Sequence, residues 1–310
     1  MIVEAGATLA GMLAIRRLAH HAILRGLRAP RLPHDLDLGP PGVAAGSVRE
    51  QRIPGPRGKT LAGWLVLPAE PLKRPVPAAM VMHGWGANAS MMWPVVPPLH
   101  QAGFAVLLLD ARCHGRSDDD SFSSMPRFAE DIAAGLDWLK RQPGIAADRL
   151  AVLGHSVGAA AALLHASRRR DIRGVVSLSA FAHPRELMRR FLGEKRIPYP
   201  VLGWYVLQHV QNVIGTDFDA IAPIHTISTV NCPVLVVHGR ADAVAPVEDA
   251  TRIAVQSRLA RLLLVDGDHD LREALTPHAA EVVEFLRMAC GNGTTSLPLA
   301  DARDPVHPAG

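Results

Sequence analysis

Short apolar runs recur along most of the chain, and stretches with the helical spacing of apolar residues separate them. The pattern predicts strands at 61–67, 78–82, 104–109, 150–153, 174–179, 234–238 and 261–265. It predicts helices near 90–101, 127–141, 157–169, 247–258 and 276–289. Continuous apolar strands that alternate with helices are typical of a mostly parallel sheet covered by helices on both faces. We therefore expect an α/β fold.

Departures from this alternation define the predicted organisation. About 50 residues separate the strand at 174–179 from the strand at 234–238, which is too long for one crossover helix. Residues 183–230 are therefore predicted to form an inserted cap with short helices of its own. Residues 29–47 are rich in proline and glycine and are predicted to form a linker. The expected parts are an N-terminal helix and linker over 1–47, a main domain over 48–290, and a disordered tail over 291–310.

Composition narrows the classes of protein that fit. Hydrophobic residues make up 48% of the 310 residues and charged residues 20%, which is typical of a globular chain with a large core. The net charge of +4 is small for this length and argues against a dedicated nucleic-acid groove, so no nucleic-acid partner is expected. The three cysteines, Cys113, Cys232 and Cys290, do not form a disulfide framework. A cytoplasmic location is therefore the simplest expectation.

The N-terminal residues leave several interpretations open. Residues 1–15 are largely apolar but fewer than the ~20 residues that a membrane-spanning helix needs. Basic residues follow this run, whereas a secretory signal carries them before it. Residues 1–28 are expected either to form a helix packed on the domain or on a partner, or to lie peripherally at the inner face of a membrane. A cleaved targeting segment is the third alternative.

The strongest chemical signal is the motif GHSVG at 154–158, which lies between an apolar strand and an alanine-rich helix. A nucleophile elbow has this strand–turn–helix order, and its serine occupies a sharp, strained turn. Residues two before and two after the serine must lack side chains, because the neighbouring strand and helix come close. The helix N-terminus adds positive partial charge near the reacting atoms. Ser156 is therefore predicted to be a nucleophile.

A serine hydroxyl is a weak nucleophile at neutral pH and needs a general base. His269 follows the last predicted strand, where a loop can bring its imidazole over the carboxyl edge of the sheet. The base needs an acid that fixes its tautomer, and Asp242 follows the preceding strand. No carboxylate directly follows the strand at 174–179, which favours Asp242. Ser156, Asp242 and His269 are thus the predicted catalytic residues.

The negative charge that develops on a reacting carbonyl oxygen needs backbone N–H donors, which form an oxyanion hole. Val157, the residue after the nucleophile, is predicted to supply one donor. The segment HGWG at 83–86 follows the strand at 78–82, and the N–H of Trp85 is predicted to supply the other. His83 is interpreted as an anchor of this loop rather than as a second base. The aspartates around His269 lack the spacing of a calcium loop, so no metal site is expected.

Five motifs, in order, resemble those of the α/β-hydrolase family over roughly residues 48–289. They are HGWG at 83–86, DARCHGRS at 110–117, GHSVG at 154–158, HGRADAVAP at 238–246 and GDHD at 267–270. The resemblance implies an α/β-hydrolase fold, with a mostly parallel eight-stranded sheet, helices on both faces and a small helical cap insertion. Cys113 stands where glycine is common in the second motif. The family pattern makes this loop mainly structural, so Asp110 and Arg112 are assigned no chemistry.

The resemblance also bears on function. The family includes esterases, lipases, thioesterases, acyl-peptide hydrolases and C–C bond hydrolases. Its dehalogenases and epoxide hydrolases use aspartate at the elbow, so Ser156 argues against both. We expect a serine hydrolase that cleaves a small-molecule carboxylic ester or thioester through an acyl-enzyme intermediate, without a cofactor. The alternatives are a small peptidase or an acyltransferase with the same triad, and a non-enzymatic binding protein, which would usually have lost a triad member.

The predicted cap carries apolar residues that would face an acyl pocket or hold the cap on the core. Leu187, Met188 and Phe191 are among them. Their spacing does not separate the two roles. The sequence therefore assigns no substrate-binding residue, acyl length or oligomeric state.

Overall fold

The apolar runs of the sequence form the strands of one sheet. The structure is a computed structural model that describes residues 14, 16–35, 42–68 and 74–291. Within these residues the sheet has eight strands in the order β1-β2-β4-β3-β5-β6-β7-β8. The strands are β1 (Val48–Pro54), β2 (Thr60–Val66), β3 (Val76–Met82), β4 (Ala105–Leu109), β5 (Ile145–His155), β6 (Gly174–Leu178), β7 (Val234–Gly239) and β8 (Ala260–Val265).

The sheet is parallel except at one edge. β1 and β2 form an antiparallel hairpin with a 3-10 turn at Pro56–Gly58, and β2 also pairs antiparallel with β4. The pairs from β4 through β3 to β8 are parallel. The prediction of a mostly parallel eight-stranded sheet is therefore confirmed. Because the parallel strands point the same way, the loops after β3, β5, β7 and β8 meet at one edge.

Helices follow most strands. They are α1 (16–26), α2 (Val96–Gln101), α3 (Met125–Leu139), α4 (Val157–Arg168), α5 (Pro184–Glu194), α6 (Trp204–Ile214), α7 (Phe218–Ile221), α8 (Pro223–Thr226), α9 (Val247–Ala254) and α10 (Ala279–Cys290). The helix predicted near 90–101 is α-helical only from Val96. Ala89–Val95 is a 3-10 segment that contains Pro94, whose missing N–H cannot complete an α-helical turn.

Alternate residues of each central strand enter two separate cores. On one face Met80 of β3 packs in a cluster with Phe128 of α3 and the alanines of α4. On the other face Val81 belongs to a cluster with Val96 of α2 and Phe285 of α10. Burial of both strand faces explains why the strands read as continuous apolar runs. The predicted helices on both faces are confirmed.

The four helices α5 to α8 lie between β6 and β7, within the segment predicted as a cap. Here "the cap" means residues 183–230. A π-helical turn at Tyr199–Gly203 connects α5 to α6. Leu207, Val210 and Phe218 are buried in the cluster that contains α3 and α4. The cap is thus joined to one core by its own apolar side chains.

The segment that precedes the domain lies against it. The Arg31 guanidinium donates to the carbonyl of Ser117 at 2.8 Å and to the Asp119 carboxylate at 2.7 Å. His34 Nε2 lies 2.7 Å from Asp110 Oδ2. On α1, His20 Nδ1 lies 3.0 Å from His209 Nε2 on α6. Residues 31–35, predicted only as linker, are therefore bonded to the loops of the sheet edge.

The predictions for the two ends of the chain concern residues that the structure describes only in part. Residues 1–13 and 15 lie outside the described residues, as does the predicted disordered tail apart from Gly291. Among the described helices, none combines the length and the apolar character that crossing a bilayer requires.

Candidate active site

Ser156 lies in the sharp turn between β5 and α4, at the carboxyl edge of the sheet. Its φ of 52° and ψ of −116° fall outside the regions that L-residues usually adopt. Its N–H donates to the carbonyl of Leu178 at the end of β6, at 2.8 Å. Backbone strain of this kind persists only where the surroundings over-determine it. The neighbouring strand therefore holds the serine in the strained turn predicted from the GHSVG motif.

The two glycines of the motif are required by close backbone packing. A Cβ at Gly154 would lie 2.6 Å from the nitrogen of Ala159. A Cβ at Gly158 would lie 2.6 Å from the carbonyl oxygen of Met82 in β3. Both obstacles are backbone atoms of regular elements, so neither can move without shifting the helix or the strand. The expectation that positions 154 and 158 must lack side chains follows from this packing.

The structure brings the three predicted catalytic residues together. Ser156 Oγ lies 3.0 Å from His269 Nε2, and His269 Nδ1 lies 2.8 Å from Asp242 Oδ2. Because an ionised carboxylate only accepts hydrogen bonds, His269 must donate from Nδ1, which leaves Nε2 as the acceptor for the serine hydroxyl. This is the arrangement in which an imidazole can remove a proton from the serine. We call these three residues the candidate triad.

The Asp242 carboxylate is held in its ionised form. Burial alone would raise its pKa, but hydrogen bonds from His238 and His269 and from the Ala245 N–H hold the pKa well below its ordinary value. Its Oδ1 accepts from the N–H groups of Val244 and Ala245, at 2.9 and 2.8 Å. These bonds fix the plane of the carboxylate, so Oδ2 stays directed at His269.

The predicted oxyanion donors lie beside the serine. Val157 is the first residue of α4, and the first N–H groups of a helix have no acceptor within it. Among the described residues no group accepts a hydrogen bond from the N–H of Trp85. Both residues line the same cavity as Ser156. A Cβ at Gly84 would lie 3.2 Å from Cβ of Ser156, so the loop that carries Trp85 packs directly on the serine. The role of the two N–H groups stays a prediction.

His83 has the contacts of a loop anchor. Its Nδ1 donates to the carbonyl of Gly84 at 2.7 Å, and its Nε2 accepts from the N–H of Ala111 at 3.1 Å. Burial, aided by the nearby His114, lowers its pKa from 6.5 to about 4. The ring is therefore neutral at physiological pH and ties the loop after β3 to the loop after β4.

In the DARCHGRS segment, the Asp110 side chain holds the neighbouring loops together. The Asp110 carboxylate accepts from the N–H groups of Ala89 and Arg116, at 2.8 and 2.7 Å, besides its contact with His34. Cys113 has a φ of 66°, in the left-handed region that favours glycine. The cysteine therefore adopts a backbone conformation that glycine takes at a lower steric cost.

Two functional candidates were missed by the sequence reasoning. His155 Nε2 donates to the backbone carbonyl of His269 at 2.8 Å, and burial lowers the pKa of His155, so its ring is neutral. His238 Nε2 donates to the carbonyl of Ala245 at 2.7 Å and lies 3.2 Å from Asp242 Oδ2. Each steadies one member of the candidate triad. In the sequence, each is a histidine near the end of a predicted strand. His155 directly precedes Ser156, and His238 lies four residues before Asp242.

A cavity of about 580 Å³ opens over Ser156 and His269. Its walls come from three parts of the chain: the loops at the sheet edge, the cap, and the end of α1. The lining is mostly apolar and includes Met91, Phe181, Met188 and Val210. Leu27 of the N-terminal segment closes one side. The candidate triad therefore faces a partly open, mostly apolar space.

One group of side chains in the described part of the chain could approach a metal ion, and it lies in the cap. His183, Asp219 and His225 place potential ligand atoms within 4.8 Å of one another. However, His183 Nδ1 accepts from the N–H of Arg185 at 3.1 Å, so the ring proton must be on Nε2, which donates to Asp219 at 2.7 Å. A metal at Nε2 would require the opposite tautomer. The bonding present uses His183 to cap α5 rather than as a ligand.

Comparison with known proteins shows similar sequences and a similar fold. A family model described as "Serine aminopeptidase, S33" matches residues 73–216. The uncharacterized protein YfhR of Escherichia coli K12 is 27% identical over 243 residues, which cover 76% of this chain and 78% of YfhR. The esterase YjfP of the same organism is 26% identical over 248 residues, which cover 74% of this chain and 96% of YjfP. The Pyrococcus furiosus esterase Pf2001 superimposes with a TM-score of 0.66 at 21% identity, over 86% of this chain and 98% of Pf2001.

The fold defines the class. The sheet order, the helices on both faces and the likeness to Pf2001 are those of the α/β-hydrolase fold. The chain therefore has the α/β-hydrolase fold, residues 73–216 match a hydrolase family model, and the similarity to YjfP supports a hydrolase.

Proposed function

We propose that the protein is a serine hydrolase that cleaves carboxylic esters or thioesters through an acyl-enzyme intermediate. The observation that carries the proposal is the chain of contacts from Ser156 Oγ to His269, 3.0 Å, and from His269 to Asp242, 2.8 Å. Ser156 and His269 line a mostly apolar cavity, where hydrogen bonds to a developing negative charge are stronger than in water.

The first half-reaction acylates the serine. Ser156 Oγ bonds to the acyl carbon while its proton passes to His269 Nε2, and Asp242 stabilises the resulting imidazolium. The carbonyl oxygen becomes negative and accepts hydrogen bonds from the N–H groups of Trp85 and Val157. When the tetrahedral intermediate collapses, the C–O or C–S bond breaks. The leaving alcohol or thiol takes the proton from His269, which returns the imidazole to its neutral form.

The second half-reaction releases the acid. A water molecule replaces the leaving group beside His269, gives a proton to Nε2, and its oxygen bonds to the acyl carbon. The second tetrahedral intermediate then expels Ser156 Oγ, which takes the proton back. Atoms and charge balance without a metal or an organic cofactor.

The experiment that tests the proposal compares wild type with Ser156→Ala on p-nitrophenyl acetate and butyrate. We expect the variant to lose at least about 10³-fold in kcat, because the nucleophile is gone. Ser167→Ala is the matched control, since Ser167 lies at the far end of α4 and bonds only to a helix carbonyl. A fluorophosphonate should add one adduct to wild type, located at Ser156 by mass spectrometry. Equal rates in wild type and Ser156→Ala would refute the proposal.

A peptidase is the second candidate, because the matching family model carries the name of an aminopeptidase. An aminopeptidase needs a free carboxylate to bind the amino group of its substrate. The cavity carboxylate nearest in sequence to His269 is Asp270, and it is already paired with Arg272 at 2.8 Å. The apolar lining therefore favours an ester over a peptide. Comparable kcat/KM on aminoacyl p-nitroanilides and on matched esters would reverse this preference.

An acyltransferase would use the same first half-reaction and differ only in the acceptor. Addition of an alcohol or amine acceptor to the ester assay separates the two outcomes. Hydrolysis yields free acid at every acceptor concentration. Transfer would divert most of the acyl group to the acceptor at millimolar concentrations.

A further inference from the structure

We propose that the acyl part of the substrate is a long, unbranched apolar chain and that the leaving group is polar and faces solvent. This inference rests on the proposed function and specifies the substrate class of the same site. It follows from how the cavity walls are divided around the reacting atoms.

The chemistry fixes which side of the cavity receives the leaving group. His269 Nε2 must reach both Ser156 Oγ and the leaving atom, because it transfers a proton between them. The leaving group therefore lies beside the loop that carries His269. In this loop Asp270 and Arg272 line the cavity, and both side chains are about half exposed. An alcohol or thiol that leaves on this side meets charged groups and water.

The side of the cavity formed by the cap has the opposite character. The cap contributes Leu187, Met188, Val210, Ile214 and Ile221, and the sheet edge contributes Met91 and Leu178. Phe218 and Val210 are almost fully buried, so this wall is continuous with the core. No charged side chain of α5 or α6 is part of the described lining. A polar acyl group would lose its hydration here without gaining hydrogen bonds.

The kind of apolar side chain favours a flexible, unbranched ligand. Met91, Met92, Met125 and Met188 all line the cavity. Methionine is unbranched and adapts its shape to its neighbours, so it can follow a chain whose conformation varies. Trp85, Phe181, Phe191 and Phe218 also line the cavity, so its wall is not made of flexible side chains alone. Within this wall, the methionines together with leucine and isoleucine point to an alkyl chain.

The volume of the cavity limits the length of the acyl chain that it can hold. A space of 580 Å³ holds on the order of 20 groups the size of a water molecule or a methylene, at about 30 Å³ each. The carboxyl group and the leaving group occupy part of this space. We therefore expect an optimum at about 10 to 14 acyl carbons.

The first experiment measures kcat/KM for p-nitrophenyl esters from acetate to palmitate, each below its micelle concentration. We expect kcat/KM to rise by about fourfold per methylene until the cavity is filled. Ser156-dependent activity that peaks at acetate or butyrate would overturn the inference and leave the proposed function intact. Failure of Ser156→Ala to lower hydrolysis of any ester would overturn both.

Two substitutions at Met188 sharpen the test because they act in opposite directions. Met188→Trp fills the cavity wall and is expected to lower the ratio of kcat/KM for dodecanoate to that for acetate at least tenfold. Met188→Ala enlarges the cavity and is expected to move the optimum to longer chains. Val201→Trp is the control, since Val201 lies in the same cap but is 78% exposed. Identical chain-length profiles in all four proteins would overturn the inference.

Binding of a fatty acid can be measured without turnover, so it tests the acyl preference even where a variant alters catalysis. Dodecanoate is titrated into Ser156→Ala by calorimetry at two temperatures. We expect saturable binding with a negative heat-capacity change, the sign of buried apolar surface. Butyrate at the same concentration should show no saturation. Equal affinity for the two acids would contradict an alkyl-binding cavity.

Discussion

The sheet edge and the cap meet at one cavity, yet they are built in different ways. At the sheet edge, close backbone contacts define the geometry: Gly154 and Gly158 have no room for a Cβ, and Ser156 is held at φ 52°. In the cap, side chains define the surface. The outward residues Val201 and Trp204 are more than half exposed, and Gly193 has no neighbouring atom within 4 Å of an added Cβ.

This difference assigns separate tasks to the two regions. A triad must keep its atoms aligned, since a displacement of about 1 Å can cost 100-fold in rate. Backbone packing gives that alignment because it cannot relax locally. A binding wall made of methionine and leucine tolerates changes in shape and volume. Substitutions at the edge should therefore affect chemistry and folding, whereas substitutions in the cap should change which substrate is used.

The largest effect should come from the acid at the sheet edge. Asp242→Asn keeps the size of the side chain but offers an N–H where His269 needs an acceptor, so the imidazole adopts the wrong tautomer. We expect kcat to fall by about 10⁴-fold with the fold preserved. The measurement is ester hydrolysis together with near-ultraviolet circular dichroism. Asp266→Asn, which changes an almost fully exposed carboxylate paired with Arg240, is the control. A loss below tenfold in Asp242→Asn would show that another group orients His269.

A pair of glycine substitutions tests the contrast directly. Gly158→Ala places a methyl group 2.6 Å from the carbonyl oxygen of Met82 and should lower the free energy of unfolding by about 3 kcal/mol. Gly193→Ala, in helix α5 of the cap, should raise it by about 0.5 kcal/mol, because alanine favours the helix. Urea unfolding measures both. If the two variants were equally stable, backbone packing would not distinguish the regions.

The buried His83 makes the edge sensitive to acid. Its pKa is about 4 in the folded protein and 6.5 in an exposed chain. Above pH 6.5 neither state binds the proton, so the stability is complete. As the pH falls from 6.5 towards 4, the unfolded state binds a proton that the folded state does not, and about 3 kcal/mol is lost. The measurement is the urea midpoint of wild type and of His83→Asn from pH 7 to 4.5. We expect the midpoint of wild type to fall more steeply with decreasing pH than that of His83→Asn. Parallel curves would contradict this assignment.

The smallest expected effect concerns His155. Loss of its 2.8 Å hydrogen bond to the His269 carbonyl should loosen the loop without removing a reacting group. We expect His155→Ala to lower kcat by about tenfold with little change in KM, and His155→Gln to recover part of the loss through its amide N–H. A change in KM alone would assign His155 to substrate contact instead.

The sequence predicts the sheet and the arrangement of the candidate triad because each depends on a short, local signal. Buried parallel strands read as apolar runs, and Ser156, Asp242 and His269 each follow one of them. The carboxyl ends of parallel strands must meet at one edge, so the three positions converge once the strand order is known. The α/β-hydrolase fold could therefore be predicted from the sequence.

Other features depend on contacts between distant segments and have no local signal. The bonds of Arg31 and His34 to the DARCHGRS loop join residues more than 70 positions apart, in a segment that reads as a linker. The inward faces of the cap helices could not be assigned either, because an irregular π-helical turn, preceded by Pro198 and containing Pro200, breaks the helical period. The helix predicted near 90–101 failed in its first half for the same reason, through Pro94.

The cavity collects its walls from Leu27 near one end of the described chain to Leu275 near the other. During synthesis, therefore, this cavity does not exist until nearly the whole domain has left the ribosome. Contacts between residues so far apart in sequence form slowly, because the entropy cost of closing the loop comes before the stabilising contacts are made. A nascent chain already exposes a serine and a histidine, but it cannot yet enclose a substrate. Competence to react would thus appear late and all at once, which time-resolved labelling of Ser156 during refolding can follow.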